Sequence, residues 1–325
     1  TAYRRQRQMC IRDRDYGADI NLCSMEGSTP LWLACFNRRE SIAKLLLVNG
    51  ADVNLCNKYE YTPLWIACYN GHESAAQLLL VNGADMNLCN KDGDSPLWIA
   101  CSNGHESVAK LLLVNGADMN LCNKAGSSPL LAACSKGHES TSQLLLANSA
   151  DMNLYDKDGN SPLWIACCNG HESAAKLLLV KGAGVNLPNK EGVSPLLVAC
   201  CSGHESTAKL LLVNGADVNL CNKNGKSPLW IACYCRHEST AKLLLVSGAD
   251  VNLCNKDGNS PLLAACSNGH ESTAQLLLVN GADMNLCNKN GNSPLFAACS
   301  NGHDSTAQLL LVNGADLNLG NKDGN

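Results

Sequence analysis

The cysteines and histidines are the side chains of this chain that could hold a metal ion or carry redox chemistry. Its 325 residues include 20 cysteines and eight histidines. Structural zinc sites are built from closely spaced ligands such as a C-x-x-C pair. No C-x-x-C pair occurs, and the closest spacings are Cys167-Cys168, Cys200-Cys201 and Cys233-x-Cys235. We therefore expect neither a metal ion nor another cofactor to be bound.

The cysteines recur at two fixed positions instead. One set follows an alanine inside an apolar segment, where a small buried thiol is expected; its nine members are Cys35, Cys68, Cys101, Cys134, Cys167, Cys200, Cys233, Cys266 and Cys299. The other set follows Asn-Leu in a polar segment; its seven members are Cys23, Cys56, Cys89, Cys122, Cys221, Cys254 and Cys287. Of the remaining four, Cys168, Cys201 and Cys235 lie just beyond the predicted buried positions and are the candidates for exposed, reactive thiols.

Each histidine precedes an acidic residue, which could be mistaken for an acid–base pair. The eight are His72, His105, His138, His171, His204, His237, His270 and His303. A catalytic site is normally unique and is supported by distinct neighbouring groups, whereas this pair recurs at one position of a repeating pattern. We predict a structural role for the histidines and no enzymatic activity.

The prolines reveal the elements that must position these side chains. Nine of the ten are spaced 33 residues apart, from Pro30 to Pro294. A fixed period of this length indicates a repeat array. The predicted repeats are 24–56, 57–89, 90–122, 123–155, 156–188, 189–221, 222–254, 255–287 and 288–320.

Each repeat reads as a turn, a short helix, a tight connection, a second helix and an extended loop. In 90–122, Ser95 and Pro96 supply a cap and a first helical residue, and Asn103-Gly104 ends that helix. Leucines 111–113 then form the apolar face of the second helix. Because neither helix is long enough to be stable alone, each repeat must bury its apolar face against its neighbours. The sequence therefore predicts an all-α solenoid.

The blocks Gly-x-Ser/Thr-Pro-Leu-x-x-Ala, Gly-His and Leu-Leu-Leu-x-x-Gly-Ala-Asp-Val/Met-Asn resemble ankyrin repeats over residues 16–325. The resemblance implies stacked helix-turn-helix units with β-turn fingers, and a concave face of fingers and first helices that binds other proteins. We accordingly expect a non-catalytic scaffold for protein–protein interaction. The alternatives are a mechanical or spacer segment, and the regulatory array of a larger enzyme, channel or ubiquitin-ligase adaptor.

Several residues depart from the family pattern. Trp32, Trp65, Trp98, Trp164 and Trp230 stand where the family usually has histidine, so the hydrogen bonds of that histidine should be absent. Glu60 and Ser149 replace glycines, each at a cost of about 1 kcal/mol if a positive φ is retained. Gly184 replaces the recurrent aspartate, and the segment 182–190 should be among the weaker parts of the array.

Partner specificity should reside where the repeats differ, on the turns and at the ends of the first helices. Early repeats carry Phe36, Tyr59, Tyr61 and Tyr69 there, and exposed aromatic side chains on one face are good interface anchors. We predict a protein-binding patch on these four residues, with Tyr155 and Tyr234 as outlying contacts. The alternative is that the repeats differ only because duplicated copies have drifted in sequence. The family's pattern for asparagine hydroxylation further implies Asn219 as a possible modification site.

The remaining features set broad limits. Residues 1–15 match no repeat and are expected to be extraneous. Residues 16–23 look like the tail of a truncated repeat, and residues 321–325 look like the start of another. We therefore expect a piece of a longer array. The net charge of −4 does not favour nucleic-acid binding, and no apolar segment is long enough to span a membrane. Unpaired cysteines without an N-x-S/T sequon favour an intracellular, cytoplasmic protein, and we expect a monomer.

Overall fold

The computed structural model describes residues 19–319. The non-repeat segment 1–15 and the start of a further repeat at 321–325 lie outside the described residues, as does 16–18 of the truncated repeat. The chain divides into two compact units, 1–157 and 158–325. The boundary lies next to the predicted start of the repeat 156–188, and the repeat boundaries themselves stay predictions.

The described residues form 18 α-helices and no strand, which confirms the all-α prediction. Two helices recur in each repeat, a first one that begins at proline and a second one of nine residues. In the first unit they are α1 (Pro30–Phe36), α2 (Glu40–Val48), α3 (Pro63–Tyr69), α4 (Glu73–Val81), α5 (Pro96–Ser102), α6 (Glu106–Val114), α7 (Pro129–Lys136) and α8 (Glu139–Ala147). In the second unit they are α9 (Pro162–Cys168), α10 (Glu172–Val180), α11 (Pro195–Cys201), α12 (Glu205–Val213), α13 (Pro228–Tyr234), α14 (Glu238–Val246), α15 (Pro261–Ser267), α16 (Glu271–Val279), α17 (Pro294–Ser300) and α18 (Asp304–Val312).

Local sequence determines where the first helices begin and end. The Ser95 hydroxyl accepts the N–H of Trp98 at 3.0 Å, which satisfies one of the free donors at the start of α5. Pro96 follows, at a position where its missing N–H costs nothing. At the other end the His105 N–H donates to the Ala100 carbonyl at 2.9 Å, across Gly104 with its φ of +71°. The predicted cap and stop signals are confirmed.

The core of each unit lies between the helices of neighbouring repeats. Within a unit, first helices pack against first helices and second helices against second helices. Leu79 and Leu112 of the second helices, with Cys68 and Cys101 of the first, are completely buried. Burial holds the pKa of such thiols far above its usual value, to about 12 for Cys134.

Eight of the nine cysteines predicted to be buried are buried, but the prediction is wrong for Cys299, which is exposed. The difference arises from whether a first helix of the following repeat covers this position. Cys266 of α15 is covered because α17 of the following repeat packs against that helix. No further first helix follows α17 within residues 19–319, so Cys299 faces solvent.

The histidines link neighbouring repeats, which confirms their structural role. Nε2 of His105 donates to the Tyr69 carbonyl at 3.0 Å, and His204 donates to the Cys168 carbonyl at 3.1 Å in the same way. A glycine leaves room for the ring. A Cβ on Gly71 would lie 2.6 Å from the His105 ring, so a side chain at that position displaces the histidine.

Arg38 and Arg236 occupy this glycine position and show the displacement. Both keep a positive φ, of +54° and +63°. In the following repeat Nδ1 of His72 then donates to the Cys35 carbonyl at 3.1 Å, and Nδ1 of His270 to the Cys233 carbonyl at 2.9 Å. The hydrogen bond between repeats is thus retained, but it uses Nδ1 in place of Nε2, and its acceptor carbonyl lies one residue earlier in the preceding repeat. Glu60 and Ser149, with φ of +64° and +68°, likewise retain the strained conformation expected of them.

The loops after the second helices carry a repeated hydrogen-bond pattern. Asp85 accepts the N–H of Asn87 at 2.9 Å, and Asn54 of the preceding repeat accepts the N–H of Asp85 at 2.8 Å. Asp217 and Asn219 repeat the first of these bonds in the second unit. Gly184 has no side chain to accept the N–H of Asn186, so the predicted weak segment 182–190 lacks one local bond of the pattern.

Replacing Gly184 by aspartate should therefore raise the free energy of unfolding by about 1 kcal/mol, from one restored hydrogen bond and a less flexible unfolded chain. Gly184 does not need a positive φ, but its new Cβ would lie 2.5 Å from the Leu187 side chain, which must move to make room. Thermal and urea unfolding measure the gain, and Asp217→Gly should lose a similar amount. An unchanged midpoint for Gly184→Asp would show that the missing carboxylate does not weaken this segment.

Candidate protein interface

Aromatic pairs spaced four residues apart stack on the first helices of the first unit. The Trp32 and Phe36 rings of α1 lie with centroids 5.4 Å apart and planes 10° from parallel. In α3 the rings of Trp65 and Tyr69 lie 5.5 Å apart at 14°. Side chains at i and i+4 share one face of a helix, so each pair covers one surface of its repeat.

The turn before α3 extends this stack. The Asn57 side-chain oxygen accepts the N–H groups of Tyr59 and Tyr61 at 3.0 and 3.1 Å, which fixes the turn. The Tyr61 ring then lies 4.1 Å from Trp65, and Tyr59 lies 5.8 Å from Tyr61. The turn and α3 together present a continuous row of four stacked rings, from Tyr59 through Tyr61 and Trp65 to Tyr69.

An open groove of about 410 Å³ follows this row, and we call it the aromatic groove. Its lining residues are Glu26, Ser28, Trp32, Asn57, Tyr59, Tyr61, Trp65, Ile66 and Tyr69. Tyr59 and Tyr69 are 47% and 46% exposed, whereas Trp65 is 4% exposed and forms the floor. The groove is built from turns and first helices, the elements that the sequence predicted for binding.

Charges surround the aromatic row. Lys58 forms an ion pair with Glu26, and its ammonium group lies 5.1 Å above the Tyr59 ring. The hydrogen bond to Glu26 is the main reason why the pKa of Lys58 is raised.

Carboxylates also lie near the aromatic row. Burial is the first cause that raises the pKa of Tyr61, and the negative charges of Asp92 and Asp94 raise it further. Glu60 lies between the two tyrosines of the turn. Asp92 and Asp94 of the next turn thus lie near Tyr61, whereas Glu26 of the groove lining is paired with Lys58.

The indole groups form hydrogen bonds that were not foreseen for the tryptophans. Nε1 of Trp65 donates to the Asp94 carbonyl at 3.1 Å, and Nε1 of Trp230 donates to the Asn259 carbonyl at 3.0 Å. Trp164 donates to the main chain 29 residues later in the same way. A link between repeats is thus present at these positions although the family's histidine is absent. Nε1 of Trp32, at the groove, is buried without a partner.

The two outlying tyrosines do not join this cluster. Tyr155 is exposed in the loop after α8 and is not among the residues that line the groove. Tyr234 belongs to the second unit, where its ring stacks on Trp230 at 5.1 Å. The Lys226 ammonium lies 4.6 Å from the Trp230 centroid and 5.7 Å from that of Tyr234. The structure therefore brings together Tyr59, Tyr61 and Tyr69, with Phe36 stacked at the edge on Trp32.

The patch predicted from the sequence did not include the tryptophans, although Trp32 and Trp65 line the groove. The signal was present in the spacing. Trp32 and Phe36, Trp65 and Tyr69, and Trp230 and Tyr234 are each four residues apart on a first helix. An aromatic pair at this spacing predicts stacked rings on one face.

Asn219 lies within the loop pattern described above. Its side-chain oxygen accepts the N–H of Asp250 at 3.0 Å, and its own N–H donates to Asp217 at 2.9 Å. Asn252 makes the same pair of contacts one repeat later. These two contacts do not distinguish Asn219 from Asn252, although Nδ2 of Asn252 also donates to the Gly281 carbonyl at 3.5 Å.

Across residues 19–319, no group of three or more His, Cys, Asp or Glu side chains could hold a metal ion. No helix in that range is both long and apolar enough to cross a membrane. Of the thiols predicted to be exposed, Cys201 is exposed, whereas Cys168 and Cys235 are half-buried.

Comparison with known proteins agrees with this architecture. The family model for ankyrin repeats in three copies matches residues 8–90, 64–156, 97–189, 178–253 and 229–321. No curated protein matches the sequence. Among solved structures, the crystal structure of the human ASB11 ankyrin repeat domain is 30% identical, with a TM-score of 0.63 over 69% of this chain and 99% of that one. The chain belongs to the ankyrin repeat family, a generally non-catalytic fold whose members generally mediate protein–protein interactions.

Proposed function

We propose that this protein is a non-catalytic interaction scaffold that binds an extended segment of a partner protein in the aromatic groove. The observation that carries the proposal is the continuous row of four stacked rings on the turn and first helix of the repeat 57–89. The Tyr59 and Tyr69 side chains are nearly half exposed, so each leaves aromatic surface that a partner could cover. Tyrosines and tryptophans gathered in this way are the commonest anchors of protein interfaces.

The charges around the groove indicate the chemistry of the partner. Cations bind over the faces of aromatic rings, and Lys58 already lies over Tyr59. After burial, the negative charges of Asp92 and Asp94 are the next causes that raise the pKa of Tyr61, and Glu60 precedes it in the turn. A partner segment with an arginine or lysine beside an apolar side chain would satisfy both features. Tyr155 and Tyr234 remain proposed outlying contacts.

The combined substitution Tyr59→Ala, Tyr61→Ala and Tyr69→Ala should weaken binding by about 30-fold or more, because it removes three aromatic anchors from one surface. The full chain is first used to select ligands from a library of random displayed peptides, and the affinities of the selected peptides are then measured. We expect these peptides to be enriched in arginine and lysine. We also expect Tyr155→Ala and Tyr234→Ala to have smaller effects.

The matched control is Val81→Ala, which removes an exposed apolar side chain at the end of α4 in the same repeat. It should leave the affinities unchanged. If the triple variant loses its helical signal, the double variant of Tyr59 and Tyr69 replaces it, since both rings are half exposed. A folded variant that binds the selected peptides as tightly as the parent chain would contradict the proposal, as would selection of acidic peptides.

We also propose Asn219 as a site of asparagine hydroxylation. Support comes from its position in the family's pattern and from its place on an incompletely buried loop. Mass spectrometry of the protein purified from cells tests this, with Asn252 as the internal comparison because it makes the same contacts.

A further inference from the structure

Two cysteines of neighbouring repeats meet in the second unit. Cys201 is the last residue of α11, and Cys235 directly follows α13, 34 residues later. Elsewhere in the array a side chain at the position of Cys235 reaches the end of the preceding first helix. Nδ2 of Asn103 donates to the Tyr69 carbonyl at 3.0 Å, and Asn301 donates to the Ser267 carbonyl at the same distance. Asn70 and Asn268, at the same position, donate to carbonyls of their own helix instead. A side chain at the position of Cys235 can thus reach the end of the preceding first helix, where Cys201 lies.

Further contacts hold the two residues in place. Nε2 of His237 donates to the carbonyl of Cys201 itself at 3.0 Å, two residues beyond Cys235. The Cys235 side chain packs against an apolar cluster that includes Leu197 of α11 and Trp230 of α13. The two side chains lie close enough to interact electrostatically.

A third thiol, Cys168, lies in this region. It ends α9 one repeat earlier, is half-buried, and lies close enough to Cys201 to interact electrostatically with it. Cys200 and Cys233, which lie next to the pair in sequence, are completely buried and cannot be reached by a dissolved oxidant. Cys201 is therefore the exposed thiol of this region, and Cys235 lies beside the end of α11 to which His237 is bonded.

We propose that Cys201 and Cys235 form a redox-responsive pair, which a peroxide converts into a disulfide that joins two neighbouring repeats. The Cys201 thiolate attacks one oxygen of hydrogen peroxide and becomes a sulfenic acid, and the hydroxide that leaves takes up the thiol proton as water. The Cys235 thiolate then attacks the Cys201 sulfur, the S–S bond forms, and hydroxide leaves as a second water molecule. Two thiols and one peroxide give one disulfide and two waters, with both electrons passing to the peroxide.

Electrostatics favour this order of steps. Burial is the first cause that raises the pKa of Cys235 to about 11, and the nearby Cys201 charge raises it further, whereas Lys226 lowers it. Cys201 is exposed to the oxidant. Peroxide therefore meets Cys201 first, and Lys226 favours the Cys235 thiolate that the second step requires.

The test treats the full chain with a graded series of hydrogen peroxide and digests it with trypsin without reduction. We expect a cross-linked pair of the peptides 191–209 and 227–236, lighter by two hydrogen atoms than their sum, in which fragmentation assigns the link to Cys201 and Cys235. The melting temperature should rise by about 5 °C or more, because the disulfide restricts the unfolded chain, and return on reduction. Cys201→Ser and Cys235→Asn should each lose the link and the shift.

Two further variants serve as matched controls. Cys168→Ser and Cys254→Ser should both retain the link and the shift. The two test substitutions should fold, because other repeats carry serine and asparagine at these positions, as in Ser267 and Asn301. The proposal is overturned if Cys201 is oxidised without forming the link, if the dominant link joins Cys168 to Cys201, or if the Cys201→Ser chain is stabilised by peroxide as much as the parent.

Discussion

Replacing Leu112 by alanine should lower the free energy of unfolding by about 2–5 kcal/mol, the largest loss that we expect from a single substitution. Leu112 lies in the middle of α6, and its side chain is completely buried between second helices of neighbouring repeats. Truncation removes its transfer free energy and leaves a cavity, because both neighbouring helices are held in place by further repeats. Urea unfolding of the full chain, followed by circular dichroism, measures the loss.

Val114→Ala is the matched control for this substitution. Val114 lies two residues later on the same helix and is 79% exposed, so its truncation should change stability by no more than about 0.5 kcal/mol. If Leu112→Ala and Val114→Ala shifted the urea midpoint equally, the leucines of the second helices could not be the core of the array.

Replacing Thr207, Thr240 and Thr273 together by valine should raise the free energy of unfolding by about 3 kcal/mol. These threonines occupy one position on α12, α14 and α16, where all three side chains are completely buried. Their hydroxyl oxygens are buried without a hydrogen-bond partner, and a desolvated, unpaired polar group costs about 1–3 kcal/mol. Valine has nearly the same shape, and Val108 already fills this position in α6. The gain is measured by thermal unfolding.

Serine at the same three positions is the control, because it keeps the unpaired hydroxyl and removes the methyl group. The serine variant should be less stable than the parent chain. Equal midpoints for the valine variant and the parent would show that the hydroxyls find partners in solution. Since the three residues lie on three neighbouring repeats, single substitutions would show whether the gains add.

The helices were predictable because their signals are local. A serine or threonine before proline caps and starts each first helix, and Asn103 with Gly104 ends α5 within two residues of the predicted place. The same reasoning identified the buried leucines and the eight buried cysteines, and it was wrong only for Cys299. Cys299 differs from Cys266 only in its neighbours, which the local sequence does not encode.

The candidate interface was predictable only in part. Tyr59, Tyr61 and Tyr69 were singled out because they differ from their counterparts in other repeats, and the structure places all three along one groove. Trp65 was not among the predicted contacts, although it is the buried ring on which Tyr61 and Tyr69 stack. Stacking depends on the path of the turn before α3 as well as on helix periodicity, and residue types alone do not define that path.

The sequence by itself determined the 33-residue period, the start and end of the helices and the apolar face of each, because these depend on residues within a few positions of one another. Only the tertiary structure decided which ring nitrogen His72 uses beside Arg38, which tyrosines line the groove with Trp65, and which thiol meets Cys201. The contacts of His72 and Cys201 join residues 37 and 34 positions apart, and the groove is lined by residues of two neighbouring repeats. They depend on how each repeat packs on the previous one, so that a single Cβ or a missing neighbour changes the outcome.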